Sequence, residues 1–150
     1  MRWIFFLIIM PTLFAADKIQ IKHLELKILN GVRNGAAYVG IYNGNSYTVN
    51  LYKVKVDPEV FDRIELHDHV PRTDENNTHY FEMIEIPEIE IAPGSTIFLQ
   101  KGRKHLMLMG IQPAFCSYKK LSFNFFFRSE KGDFIKQASA DISNKKRCSQ

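Results

Sequence analysis

Along most of the chain, apolar and polar side chains alternate with a period of two. The clearest run is residues 120–128, where Leu121, Phe123, Phe125 and Phe127 fall on one face. Successive residues of a strand point to opposite sides, so this pattern describes a half-buried strand and not an amphipathic helix. Similar runs cover residues 19–28, 36–42, 47–56, 61–67, 80–86, 96–100, 105–109 and 134–142. Turn residues separate them. Asn34-Gly35 and Asn43-Gly44 are strong turn pairs, and Ala92-Pro93-Gly94-Ser95 suits a type II turn. Lys101-Gly102-Arg103 reads as the tip of a hairpin, and the polar stretch 68–78 as an exposed loop. A short helical turn fits near residues 57–61.

About nine short strands with no convincing helix predict an all-β fold, a sandwich or Greek-key barrel. Twelve Phe and only eight Gly in 150 residues agree with that, since aromatic side chains favour strands. One core is expected at this length. Lys and Arg exceed Asp and Glu by 20 to 16, a small and scattered surplus. A nucleic-acid binder would concentrate such charge in a stripe.

Residues 1–16 form a separate unit. Arg2 is followed by the apolar run Trp3 to Met10, and the segment ends in Ala15-Ala16. This is the pattern of a secretory signal peptide, too short to span a bilayer as a mature helix. The expected division is a signal peptide at 1–16 and one domain at 17–150, with the mature protein exported. Export would let Cys116 and Cys148 form a disulfide. Such a bridge contributes on the order of 3 kcal/mol. There is no Cys-x-x-Cys, phosphate loop, Gly-x-Ser-x-Gly or His-Glu-x-x-His, so no enzyme is expected.

The segment Lys104-His105-Leu106-Met107-Leu108-Met109 is the most informative. As a strand it puts Leu106 and Leu108 toward the core. His105, Met107 and Met109 then point the other way, where core filling explains them less well. Imidazole and thioether together suit copper, and the soft sulfur selects Cu(I). His67 at the end of a predicted strand and Met83 in another are further candidates, because a sandwich can bring strand ends together.

With these residues the chain resembles the PCuAC family of periplasmic copper chaperones, whose signature is His-Met-x10-Met-x21-His-x-Met. Here 21 residues separate Met83 from His105, and His105-Leu106-Met107 supplies the His-x-Met. Glu65-Leu66-His67, the Ile91-Ala92-Pro93-Gly94 turn and the run from Gly35 to Asn43 also resemble the family pattern. Two features depart from it. Asp68 follows His67 in place of Met, and fifteen residues separate His67 from Met83, four more than in the signature. If the strand runs on through Val70, His67 and His69 share a face and either can reach a metal.

The resemblance implies a cupredoxin-like Greek-key β-sandwich that holds one Cu(I) through His67, Met83, His105 and Met107. It also implies a periplasmic monomer that passes copper to an acceptor such as cytochrome c oxidase subunit II, toward its CuA centre. His69 and His79 are candidates for Cu(II), which prefers imidazole; the plainer reading is a solvated loop. The competing function is a periplasmic β-sandwich used for protein interaction, with metal binding lost or incidental. A thiol–disulfide reagent built on Cys116 and Cys148 is a third.

Overall fold

The computed structural model describes residues 17–28 and 32–142. Ten strands form two antiparallel sheets: β1 Ile19–Ile28, β2 Gly35–Asn43, β3 Val49–Lys55, β4 Phe61–Thr73, β5 His79–Glu85, β6 Ile89–Ile91, β7 Thr96–Leu99, β8 His105–Ile111, β9 Lys120–Ser129 and β10 Gly132–Asp141. One sheet has the order β1-β2-β8-β4-β5, with β7 also on β2. The other runs β10-β9-β3-β6. The all-β sandwich expected from the alternation is the fold observed.

The core lies between the sheets. Leu121, Phe123, Phe125 and Phe127 of β9 are all buried, as the period-two reading requires. They belong to one cluster with Ala37, Val39 and Ile41 of β2 and with Leu106 and Leu108 of β8. Fully burying such side chains contributes about 1.5–3 kcal/mol each, so this layer supplies much of the drive to fold.

Several expectations are corrected. The stretch 68–78 is mostly strand: β4 continues to Thr73, and only residues 74–78 turn the chain. Beyond His67, β4 pairs with β5 alone, so its polar side chains face water and leave no apolar alternation to read. Its free edge there also accommodates Pro71, which has no N–H to give. The turn closes on Asp74, whose carboxylate accepts the N–H of Asn76 at 2.9 Å and of Thr78 at 2.8 Å. β7 and β8 do not make a hairpin. They follow one another along the same edge of β2, β7 beside Val39 to Tyr42 and β8 beside Gly35 to Ala37. Residues 58–60 make a hydrogen-bonded turn and no helix. The three-residue β6 and a short 3-10 helix at Pro113–Ser117 had no sequence signal.

Cys116 is disulfide-bonded. Cys148 and the proposed signal peptide lie outside the described residues. Among the described residues no helix is long and apolar enough to cross a membrane.

Candidate metal centre

Strand alternation divides β4 and β8 cleanly. Leu66 pairs with Leu106 and Ile64 with Leu108, all toward the core. The intervening pairs, His67 with His105 and Glu65 with Met107, therefore stand on the outer face of the sheet. β5 extends this face: His69 is directly opposite Met83, and His67 opposite Glu85. The longer β4 thus puts His67 and His69 on one side, as anticipated for a strand running past Val70. On the other flank Ala36 of β2 pairs with Met107 and, being small, leaves room above the sheet.

A pocket of about 560 Å³ opens on this outer face. His69, Met83, His105 and Met107 all line it, beside Ala36 and Tyr38. Its upper rim is the loop between β7 and β8, represented by Lys101 and Gly102. Gln100 N–H donates to the Lys104 carbonyl at 2.7 Å, and Lys104 Nζ bonds Asp68 at 2.7 Å, which ties this loop to β4. His105 is only 4% exposed despite its outward direction, because the neighbouring imidazoles and the loop cover it. Met83 is 47% exposed and forms the open side.

The imidazoles are oriented by their second nitrogens. The Arg103 carbonyl accepts from His105 Nδ1–H at 2.9 Å and from His69 Nδ1–H at 3.2 Å. A carbonyl can only accept, so in the neutral form of each ring the proton sits on Nδ1 and Nε2 is the lone pair. His67 is held the other way round. Its Nε2–H donates to Glu65 at 2.8 Å, and its buried Nδ1 has no hydrogen-bond partner. Ring centres lie 5.8 Å apart for His67 and His105, and 5.2 Å apart for His69 and His105. Two imidazoles on one ion, with bonds of about 2.0–2.1 Å, put ring centres roughly 5–6 Å apart.

Burial pushes the His105 imidazole below its ordinary value; His69 and His67 add to this, while the Arg103 carbonyl and Asp68 oppose it. A neutral ring near pH 7 is what metal ligation requires. The Arg63 guanidinium, followed by the His67 imidazole, holds Glu65 below the usual carboxylate range. The residues therefore fit a soft metal ion: bare imidazole nitrogens and uncharged thioethers that need no hydrogen bonds. Among the described residues no group of three or more His, Cys, Asp or Glu is placed to hold a metal.

Met83, His105 and Met107 are brought together as the spacing predicts, and His67 stands beside His105 without lining the pocket. His79 is remote. It begins β5, four residues or roughly 13 Å along the strand from Met83, and bonds Thr73 at 2.9 Å. Met109 faces outward opposite Arg63 and does not line the pocket. Sequence reasoning had no way to find the Arg103 carbonyl, since any residue there would supply one. His69 was signalled only by its spacing of two from His67.

The family model described as "Putative lipoprotein LpqE-like" matches residues 16–135. Among solved structures the chain is similar to the copper-bound PCuAC domain from PmoF2, with 20% identity over 83% of this chain and 93% of that one, and a TM-score of 0.59. The apo PCuAC domain from PmoF1 gives the same four values. The apo PmoF2 PCuAC domain is 18% identical, with coverage of 86% and 92% and a TM-score of 0.57. At these identities the likeness establishes a shared fold. No curated protein matches the chain.

Proposed function

The chain belongs to the LpqE-like family, and from that premise we propose that it binds one Cu(I) ion through imidazole and thioether side chains and passes it to an acceptor protein. The observation that carries this reading is the gathering of Met83, His105, Met107 and a β4 imidazole at one pocket on the outer face of the sheet. The copper-bound state of a PmoF2 domain with the same fold lends support.

The chemistry is specific. Thioethers are soft, uncharged donors that favour Cu(I) over hard cations. They carry no proton, so they remain donors when a free imidazole would be protonated. His105 and the loop close the inner side of the pocket, and half-exposed Met83 leaves the outer side open. An acceptor's ligands can enter there and displace Met83 before the buried imidazole lets go. Copper then moves by stepwise ligand exchange and is never released free. The acceptor we propose is a copper protein of the cytochrome c oxidase subunit II type, met after export of this chain.

The test is anaerobic titration with Cu(I) against a chromophoric chelator. One ion per chain is expected, and His105→Ala or Met107→Ala should each weaken binding by roughly a hundredfold, at or beyond the range seen for losing an outer-shell partner. Wild-type affinity in both variants would overturn the site. A protein-interaction role without metal draws on one observation, the exposed Phe81 on the edge strand β5. That role predicts no uptake of copper by the wild type.

A further inference from the structure

Two histidines of β4 stand on the metal-facing side, and the copper reading needs only one. Resting on that reading, we propose that His69, and not His67, is the β4 ligand, so that the ion is held by His69, Met83, His105 and Met107.

Three observations carry this. The first is access. His69 lines the pocket together with Met83, His105 and Met107, whereas His67 does not. The second is orientation. His69 and His105 donate their Nδ1–H groups to the same carbonyl, that of Arg103, at 3.2 and 2.9 Å. One acceptor thereby fixes both tautomers and leaves an Nε2 lone pair on each ring. The rings are tilted by only 33° at 5.2 Å, closer than the 5.8 Å between His67 and His105. Shared outer-shell anchoring of this kind orients metal-binding imidazoles and raises their basicity. The third is commitment. His67 spends its Nε2–H on Glu65, which Arg63 also holds. The bare nitrogen of His67 is Nδ1, an atom shut off from solvent. Cross-strand register agrees, because Met83 is the direct partner of His69 and His67 faces Glu85 instead.

His67 then has a different part: with Glu65 and Arg63 it makes a hydrogen-bonded row beside the site. The extension of β4 and β5 into a long ribbon is what gives His69 a fixed strand position.

The decisive measurement uses the unmutated chain with 15N-labelled histidine, because Cu(I) is diamagnetic and leaves imidazole resonances visible. One equivalent of Cu(I) should shift the Nε2 signals of His69 and His105 and leave both ring nitrogens of His67 in place. In the chelator competition, His69→Ala should lose roughly a hundredfold in affinity, and His67→Ala no more than about threefold, against the ten- to hundredfold of an outer-shell loss. A shift at His67, or wild-type affinity in His69→Ala, overturns the assignment. Failure of the copper reading looks different: no histidine signal moves, His105 included, and the wild type takes no copper from the chelator. That result removes the present assignment as well.

Discussion

Asp68 stands where the copper-chaperone signature has a second methionine, and its surroundings show why the change is tolerable. It pairs with Ile84, on the opposite side of β4 from His67 and His69. Its carboxylate bonds Lys104 Nζ at 2.7 Å and accepts the His69 backbone N–H at 2.8 Å. Asp68 thus secures the loop whose carbonyl orients two imidazoles. A methionine at this position points away from the pocket. Asp68→Met is therefore expected to leave the number of sulfur neighbours of bound copper unchanged, while loosening the loop and lowering affinity up to about tenfold, the lower end for an outer-shell loss. X-ray absorption on the loaded variant counts the sulfurs, and a third one would contradict the placement. At this scale the sequence was legible where a residue's own chemistry speaks, as with the thioethers of Met83 and Met107. It was silent where the backbone acts, as with the Arg103 carbonyl.

Among the strands, legibility followed burial. β9 announces itself because four large apolar side chains must all reach one core. The distal part of β4 touches no core, so nothing in its composition separates strand from loop. Connections between elements are equally quiet in sequence, and one of them carries a pH signature. Asp57, in the link from β3 to β4, accepts the Glu59 N–H at 3.0 Å and the Tyr118 hydroxyl at 2.7 Å. The Glu59 N–H, followed by Tyr118, holds Asp57 below its ordinary 3.8. The same carboxylate holds the Tyr118 hydroxyl above its ordinary 10.0. Between the lowered value and 3.8 the unfolded chain binds more protons, so this contribution is complete above 3.8 and fades as pH falls through the folded value. For Tyr118 the sign reverses: the contribution is complete below 10.0 and fades as pH rises through the folded value. Tyr118→Phe should therefore differ from wild type by a constant, small amount in denaturation midpoint over roughly pH 5–9 and converge with it at both extremes. A difference independent of pH across the whole range would mean the contact contributes only packing.

For the molecule as a whole, the site and the means of holding the two sheets together lie apart. Asn43 ends β2 and is fully buried. Its Nδ2 donates to the carbonyls of Tyr47 and Ile91, each at 2.9 Å, and so bridges from one sheet to β6 of the other. Its Oδ1 accepts two bonds from Asn45, at 3.0 Å each, and Asn45 in turn accepts the Lys18 N–H at 3.0 Å. The sequence marked Asn43-Gly44 as a turn and could not show that the asparagine faces inward. Ala36, beside the metal pocket, is seven residues back along β2, roughly 23 Å away at the rise of a strand. Asn43→Leu would take a partner from the buried Ile91 carbonyl, the part-buried Tyr47 carbonyl and two Asn45 donors. Unsatisfied buried groups cost about 1–3 kcal/mol each before relaxation and water entry, so a net loss of about 2–4 kcal/mol is expected in urea denaturation. Copper affinity in the folded variant should stay within about twofold of wild type, because no ligand or ligand-orienting group lies on the path between the two regions and distant sites act additively. Affinity falling in step with stability would instead make the packing of the two sheets a determinant of ligand geometry at the far end of β2.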